Sequence, residues 1–263
     1  MAWFRTLASG SSGNCCLFSE GKTNILIDAG ISARRIRKTI GEFGIYPEDI
    51  TAILLTHEHA DHIGGLATLE KSYGVPVYAS VGTTGALRMK LPGIVDMVHS
   101  FTPGDRLEIN GSVIYTFRTP HDAAESCGFR IFSESGRSVA VATDLGYVPD
   151  SVRRAISGAE TVLLESNHDI FMLRYGHYPP YLKNRIGGER GHLSNDCCGE
   201  TAAYLVKSGA ETVILGHLSR ENNTISKALG TVGEVLKASG VNPKLDLQLD
   251  VAPADEPGAE YIL

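Results

Sequence analysis

The stretch THEHADHIGG, residues 56–65, brings three histidines and two acidic residues together within six positions. His57 and His59 are two residues apart, so on an extended chain their side chains point the same way. Asp61 and His62 follow at the turn into a helix, where they form a second group of ligands. The spacing predicts two metal ions a few ångströms apart. A zinc-protease H-E-x-x-H helix is excluded because residue 61 is Asp and not His.

Composition and charge limit the class of protein. The chain has 263 residues, 43% of them hydrophobic, which is typical of a globular protein with a substantial core. The net charge of −6 restricts any nucleic-acid contact to a local surface. The five cysteines form no C-x-x-C pattern, which favours a reduced, cytoplasmic compartment over a disulfide framework. The sequence lacks a signal-peptide pattern and an apolar stretch of about 18 residues, so no membrane contact is expected.

The pattern of strands and turns occurs twice along the chain. Residues 14–30 (NCCLFSEGKTNILIDAG) and 127–146 (CGFRIFSESGRSVAVATDLG) each contain a strand, a turn, an apolar strand and an acid before a glycine. This repeat predicts one domain over residues 1–263, an α/β sandwich with pseudo-duplicated halves and polar residues where successive strands end. Ser32 is the expected N-cap of a helix near residues 32–43.

The motif THEHADH resembles the H-x-H-x-D-H signature of the metallo-β-lactamase fold, and single matches to the family's later motifs follow in TPHD, ATDLG and ILGHLS. The resemblance implies a four-layer αβ/βα sandwich and two divalent metal ions. Zn²⁺ or Mn²⁺ suit such His and Asp ligands, with Fe and Ni as alternatives. By the family's ligand positions, one metal is expected to be held by His57, His59 and His121. The other is expected to be held by Asp61, His62 and His217, and Asp144 is the expected bridging acid.

Two positions narrow the chemistry within this superfamily. Asp144 stands where antibiotic-hydrolysing members often carry Cys, and a bridging carboxylate suits in-line phosphoryl chemistry. His59 stands where the family's diiron oxygen-reducing members use Glu, which favours hydrolysis over redox chemistry. Only 73 residues separate Asp144 from His217, too few for the inserted domain of the large nucleases of the superfamily.

The segments LASGSSGN, ESNHD, GHLSND and HLSRENN resemble those of the YycJ/WalJ-type branch of this superfamily. The resemblance extends from Leu7 to about Asn223. It implies a phosphodiesterase that cleaves DNA exonucleolytically in the 5′→3′ direction, in mismatch repair, with DNA and DNA-repair proteins as partners. A hydroxide bridging the two metals is expected to attack the phosphodiester, with Asp61 and His192 as catalytic residues. His192 is the proposed general acid, and Glu165 is expected to orient His192 or His168.

Substrate contacts are expected from three segments. A Gly/Ser loop at residues 9–14 resembles an anion nest. Basic residues alternate with tyrosines between Arg174 and Arg190, a pattern that suits phosphates and stacked bases. Polar residues also follow His217 directly. The predicted substrate-binding residues are Ser11, Asn14, His168, Lys183, Arg185, Ser219, Asn222 and Asn223.

Two other functions are compatible with the sequence. A hydrolase of a small ester, thioester or lactam would need an apolar pocket and little dependence on phosphate. A metal-binding regulatory protein without turnover would need no general acid, and the presence of His192 argues against it. The sequence leaves the native metal, the oligomeric state and the role of the adjacent cysteines open; these cysteines are expected to be buried as small hydrophobic side chains.

Overall fold

The computed structural model describes residues 1–94 and 97–263. Within these ranges the strands form two sheets of seven strands each. The first sheet contains, in spatial order, β14 (Tyr261–Ile262), β1 (Ala2–Ala8), β2 (Cys15–Glu20), β3 (Thr23–Ile27), β4 (Ala52–Leu54), β5 (Val77–Ser80) and β6 (Val98–Phe101). The second contains β13 (Gln248–Val251), β12 (Thr212–Gly216), β11 (Thr161–Glu165), β10 (Ser138–Ala142), β9 (Cys127–Phe132), β8 (Ser112–Arg118) and β7 (Arg106–Ile109).

Helices cover the outer face of each sheet. Those packed on the first sheet are α1 (Ala33–Gly41), α2 (Ala60–Ile63), α3 (Leu66–Tyr73) and α4 (Val81–Lys90). Those packed on the second are α5 (Asp150–Ile156), α8 (Asn195–Lys207) and α9 (Ile225–Ala238). Two short helices, α6 (Ile170–Tyr175) and α7 (Pro180–Ile186), follow β11, and a 3-10 turn covers Pro47–Asp49.

The inner faces of the two sheets share one apolar core. Phe4 and Phe18 from the first sheet pack in the same cluster as Phe129 and Ile214 from the second, and all four are fully buried. Burial of such side chains contributes about 1.5–3 kcal/mol each. The layers run helix, sheet, sheet, helix, which confirms the four-layer sandwich.

The two halves repeat one strand topology, as the sequence predicts. In the first half, β1, β2 and β3 are antiparallel and β3 to β6 are parallel. In the second, β8, β9 and β10 are antiparallel and β10 to β13 are parallel. The pseudo-duplication is therefore confirmed, and the carboxyl ends of the parallel strands carry polar loops in both halves.

The predicted first helix is also confirmed. Ser32 accepts a hydrogen bond from the Arg35 backbone N–H at 3.3 Å and caps α1. Its buried face is formed by Ala33, Ile36 and Ile40 among others. Among the described helices, none is long and apolar enough to cross a membrane.

Candidate metal centre

Polar residues at the ends of four strands meet where the two sheets come together. Asp28 follows β3 and Thr56 and His57 come after β4, while Asp144 follows β10 and His217 follows β12. Because β3 and β4 are parallel, as are β10, β11 and β12, their carboxyl ends lie at the same edge of each sheet. Both halves of the chain therefore contribute to one cluster.

Three of these residues hold left-handed backbone conformations. The φ angles are +61° at Asp28, +59° at Asp144 and +55° at His217. Non-glycine residues seldom adopt this region, and a packed structure must compensate for its cost. The turn at each strand end thus directs the side chain into the cluster.

His57, His59 and His121 form the first predicted ligand group. One ring nitrogen from each lies within 4.8 Å of those of the other two. The ring centroids of His57 and His59 are 4.5 Å apart, and those of His59 and His121 are 5.1 Å apart. His57 and His121 are buried, and His59 is half-buried at the mouth of the site. The structure therefore brings these three residues together in a geometry that one metal ion fits.

The second predicted group lies beside the first. Asp61 Oδ2 is 3.5 Å from His62 Nε2 and 3.8 Å from His217 Nε2. Asp144 lies between the groups: its Oδ2 is 3.5 Å from His62 Nε2, and its Oδ1 is 3.9 Å from His121 Nε2. All seven residues that the sequence singles out thus lie in one region, but among the described residues the close groups differ from the predicted second set. His62 lies within 4.8 Å of His57 and Asp144, and His217 lies as close to Asp144, Glu165 and His192, whereas Asp61 is in none of these close groups.

Hydrogen bonds at Nδ1 orient three of the buried histidines in the cluster. Asp28 accepts hydrogen bonds from the Thr56 hydroxyl at 2.9 Å and lies 2.8 Å from His62 Nδ1. The Thr56 oxygen in turn lies 3.0 Å from His57 Nδ1. His121 Nδ1 donates to the Gly191 carbonyl at 3.0 Å. With Nδ1 protonated, the Nε2 atoms of His57 and His121 have no hydrogen-bond partner within the described chain, the form in which histidine binds metals, whereas His62 Nε2 lies 3.1 Å from Asn14 Nδ2.

Several buried polar atoms in the cluster match a cation. His57 Nε2, His121 Nε2 and Asp144 Oδ2 have no hydrogen-bond partner within the described chain. Leaving such atoms without a partner costs about 1–3 kcal/mol each. Burial lowers the pKa of His57 well below its usual value, so its imidazole is neutral, as a metal ligand must be. These residues therefore fit divalent metal ions.

Ionised carboxylates supply the charge that a cation needs. Burial alone would raise the pKa of Asp144, but His217 and His62 hold it well below its usual range. Burial likewise opposes ionisation of Glu165, yet His192 and His217 lower its pKa to about 2. His217, in contrast, is lowered by burial and raised more strongly by Asp144 and Glu165, to a pKa of about 10. A metal ion would replace the proton that these acids favour on His217.

His192 lies at the rim of the cluster and pairs with Glu165. The distance from His192 Nδ1 to Glu165 Oε1 is 2.7 Å, whereas Nδ1 is 3.8 Å from Asp144 Oδ1. The second Glu165 oxygen accepts the Leu145 N–H at 2.9 Å, so this carboxylate is held in place on both sides. The expected orienting role of Glu165 has a matching geometry toward His192. The His192 ring is partly exposed and leaves Nε2 for a substrate.

The Gly/Ser loop differs from the expected anion nest. The Gly10 N–H donates to Asn14 Oδ1 at 2.9 Å, and the Asn14 N–H donates to the Asp61 carbonyl at 2.8 Å. Asn14 Nδ2 lies 3.2 Å from Asp61 Oδ2, so this buried side chain supports a ligand. Ser11 is exposed, whereas the Ser9 hydroxyl accepts the His217 N–H at 2.8 Å. The loop therefore holds the metal site from behind, and substrate contact at Ser11 and Asn14 stays a prediction.

The three polar residues after His217 are buried and bonded within the protein. Asn223 donates to the Ser166 and Asn167 carbonyls and to Asn195, and Ser219 accepts the Asn222 N–H at 3.1 Å. Their relative exposures are 8% for Ser219, 1% for Asn222 and 4% for Asn223, too low for a ready contact with DNA. Their geometry is that of loop supports, and substrate contact at these three residues stays a prediction.

The basic segment forms a projecting layer made of α6 and α7. The Lys183 ammonium donates to the Arg174 carbonyl at 3.0 Å at the end of α6. Arg185 is ion-paired with Asp122 at 2.5 Å, directly after the ligand His121. Tyr175 and Tyr181 are 73% and 74% exposed. The layer stands beside the cluster with cations and aromatic rings at its surface, as the interleaved sequence predicts.

Sequence reasoning missed Asp28, Thr56 and Ser9 as supports of the ligands. The signal for Asp28 was present, because the repeated pattern of an acid before a glycine aligns it with Asp144. The expectation that the adjacent cysteines are buried holds for Cys15, Cys16 and Cys198 but is wrong for Cys197, which is exposed. Cys197 lies in the first turn of α8, where only one helix face is buried.

Comparisons with known proteins agree with this geometry. A model of the beta-lactamase superfamily domain matches residues 23–218. The crystal structure of Zn²⁺-bound PqqB from Methylobacterium extorquens superposes with a TM-score of 0.73 at 18% identity, and each chain is covered completely. Together with the His and Asp clusters, the matches define the class: a metal-dependent hydrolase with the metallo-β-lactamase fold.

Two relatives identify the branch of the superfamily to which the chain belongs. The chain is 36% identical over 238 residues to exodeoxyribonuclease YycJ of Bacillus anthracis, covering 90% of each protein. It is also 36% identical over 254 residues to exodeoxyribonuclease WalJ of Streptococcus pneumoniae, covering 95% of this chain and 94% of the relative. The chain belongs to the YycJ/WalJ family of the beta-lactamase superfamily.

Proposed function

We propose that this chain is a DNA exonuclease that uses two divalent metal ions and degrades DNA in the 5′→3′ direction. The observation that carries the proposal is the His192–Glu165 pair, 2.7 Å apart, at the open rim of the histidine and carboxylate cluster. A metal-binding protein without turnover needs no oriented acid at this place. The substrate follows from the relatives, whose names are exodeoxyribonuclease YycJ and exodeoxyribonuclease WalJ.

Two metal ions are proposed at the two ligand groups. His57, His59 and His121 would hold one, while Asp61, His62 and His217 would hold the other, with Asp144 in contact with both. When bound, such ions lower the pKa of water and neutralise charge on the phosphodiester. We propose Zn²⁺ or Mn²⁺, because imidazole and carboxylate ligands suit both.

His192 is proposed to act as the general acid. Its Nδ1 is engaged by Glu165, so Nε2 faces the open side and can give a proton to the leaving 3′-oxygen. The contact with Glu165 fixes the orientation of the ring. Asp61 completes the proposed catalytic set as a ligand that remains 23% exposed at the surface of the cluster.

The remaining residues suggest how DNA is held and where the protein works. Lys183 and Arg174 present positive charge beside His192, so we propose that they contact phosphates. The core shared between the sheets supports a single domain over residues 1–263. The five free cysteines fit a reducing, cytoplasmic compartment, and we propose a role in DNA repair there, including mismatch repair.

A paired assay tests the proposal. The metal-loaded chain is incubated with 5′-end-labelled and 3′-end-labelled duplex DNA in Mn²⁺ or Zn²⁺, beside a generic thioester substrate. We expect early release of the 5′ label as mononucleotide and no thioester turnover. Intact DNA with a cleaved thioester would refute the exonuclease, and early release of a 3′ label would reverse the polarity.

A further inference from the structure

A cavity of about 600 Å³ opens beside His192, between the α6–α7 layer and the N-terminal turn of α8. We propose that it binds the terminal deoxynucleotide of the DNA strand, the one that leaves when the phosphodiester is cut. The inference rests on the proposed exonuclease function and adds the site that would limit each cut to one nucleotide. We call this cavity the leaving-nucleotide pocket.

The size and walls of the pocket suit a nucleotide. Its volume lies within the roughly 300–1,000 Å³ range of small-molecule sites. Ile170, Leu173 and Pro180 give it an apolar side, against which a sugar or a base can pack. Lys183 and Arg174 also line the pocket, and their positive charges can bind a phosphate. The walls therefore complement both the apolar base or sugar and the charged phosphate of a nucleoside monophosphate.

The end of α8 adds to the attraction of the pocket for an anion, and a buried histidine borders the pocket. Ser194 caps α8, a helix of 13 residues, and the first turn of this helix faces the cavity through Ser194 and Cys197. Helix N-termini favour negative groups. Independently, His168 lines the pocket with 4% exposure, and its Nδ1 has no hydrogen-bond partner within the described residues. This nitrogen has no surface open to the cavity, so Lys183, Arg174 and the helix end supply the contacts proposed for the anion.

The position of His192 decides which nucleotide belongs in the pocket. His192 lines the cavity and also borders the metal cluster, 3.8 Å from Asp144. In 5′→3′ cleavage the leaving group is the 3′-oxygen of the terminal nucleotide. A proton donor therefore has to lie on that nucleotide's side of the scissile phosphorus, which is the side where the pocket opens.

The step balances as a hydrolysis. One water molecule adds its oxygen to phosphorus, the bond from phosphorus to the 3′-oxygen breaks, and His192 supplies the proton to that oxygen. The water's own protons restore His192 and pass to solvent. The products are a deoxynucleoside 5′-monophosphate and a strand with a new 5′-phosphate. The new end has the chemistry of the old one, so the same pocket serves every cycle.

Cys197 provides a direct measurement of occupancy. It lines the leaving-nucleotide pocket and is exposed, while the other four cysteines are buried. A thiol reagent such as iodoacetamide will therefore label Cys197 first in the folded, Mn²⁺-loaded chain. We expect dAMP and dTMP to slow this labelling at least fivefold, with a smaller effect from deoxyadenosine or from inorganic phosphate alone. Equal labelling with and without the mononucleotides would overturn the inference, and so would full protection by phosphate alone.

A pocket-filling variant tests the same inference through cleavage. Asn184 lies on α7, is exposed and lines the cavity, so Asn184→Trp fills space without disturbing a core. Tyr181→Trp is the matched control, because Tyr181 is exposed on the same helix and lies outside the lining. We expect Asn184→Trp to raise KM for duplex DNA at least tenfold and to abolish protection of Cys197. An unchanged KM, or an equal rise in the control, would refute the pocket.

The two proposals fail in different ways. If the chain cleaves DNA but mononucleotides leave Cys197 reactivity unchanged, the pocket is refuted and the exonuclease stands. If mononucleotides protect Cys197 but DNA remains intact, the exonuclease fails and the pocket is a nucleotide site of another kind.

Discussion

Asp28 Oδ2 lies 2.8 Å from His62 Nδ1, and both side chains are buried behind the metal cluster. This contact turns His62 Nε2 toward Asp61 and Asp144. The carboxylate also accepts the Thr56 N–H at 2.8 Å, so a single acid organises the loop that carries the first ligands. Asp28 therefore contacts His62 and Thr56 behind the cluster, and we expect it to affect metal binding through these two residues.

Asp28→Asn is expected to weaken metal binding without removing it. The amide keeps the shape but loses the charge that supports His62 as a ligand. Loss of such a supporting group typically costs about 10–100-fold in metal affinity. Competition with a chelator of known affinity measures the effect, with the exposed Glu256→Gln as control. Unchanged affinity in Asp28→Asn would show that His62 needs no carboxylate behind it.

Asp144→Ala is expected to abolish DNA cleavage and to lower the metal content of the purified protein. Asp144 lies beside both ligand groups, so its loss removes negative charge from each. Metal analysis and the cleavage assay on the same preparation separate the two effects. Full metal occupancy with normal activity would remove Asp144 from the site.

His192→Ala is expected to keep both metals and to reduce kcat by about 10²–10⁴-fold, the usual contribution of a general acid. Glu165→Gln should give a smaller loss in kcat, because the ring remains present but is less well oriented. Metal analysis distinguishes this role from ligation, since His192 and Glu165 also lie within 4.8 Å of Asp144 and His217. A drop in metal content in His192→Ala would make it a ligand.

Neutralising Lys183 and Arg185 together is expected to flatten the salt dependence of DNA binding. Each lost phosphate contact lowers the slope of log K against log salt by about 0.7–0.9. The structure refines this expectation, because Arg185 is paired with Asp122 and Lys183 is not paired with an acid in the described chain. Lys183→Gln should therefore change the slope more than Arg185→Gln. Equal slopes in all variants would show that other residues contact the DNA phosphates.

Gly30→Ala is expected to disrupt the metal site sterically. A Cβ at Gly30 would lie 1.7 Å from the Asp61 carbonyl oxygen, a contact that backbone atoms cannot relieve. The loss of stability should exceed the roughly 1–3 kcal/mol of ordinary overpacking. Gly41→Ala is the control, because a Cβ there meets no atom within 4 Å. Denaturant unfolding of both variants gives the comparison, and a Gly30→Ala protein as stable as the parent would contradict the packing.

The sequence could indicate which residues converge in the cluster because the spacing of the predicted ligands is local or their motif is short. THEHADH carries four of them in sequence, and Asp144 and His217 each follow an apolar strand with a turn. The duplicated topology was predictable for the same reason, since strand, turn and acid recur in order. Periodicity and turn chemistry thus account for the architecture and for the place of the cluster.

The supporting contacts were not predictable, because they join residues that are distant in sequence. The Ser9 hydroxyl meets the His217 N–H across 208 positions, and Arg185 meets Asp122 across 63. Asn14 and Asn223 lie in polar segments that suggest substrate binding. Their side-chain amides instead donate hydrogen bonds within the protein, to Asp61 and Asn195 respectively. Whether a polar side chain faces a partner or an open cleft depends on tertiary packing, which a local pattern does not contain.

The left-handed turns at Asp28 and Asp144 stand at equivalent places in the two halves. Each follows the last antiparallel strand before the parallel series begins, with φ angles of +61° and +59°. One acid faces the proposed metals, and the other faces the back of a histidine. The backbone is thus alike at the two positions, whereas the two acids have different surroundings. Asp28 lies 2.8 Å from His62 Nδ1 and Asp144 lies 3.5 Å from His62 Nε2, so the two halves place their acids at the two nitrogens of one ring. The predicted ligands likewise come from both halves, and neither half alone contains all of them.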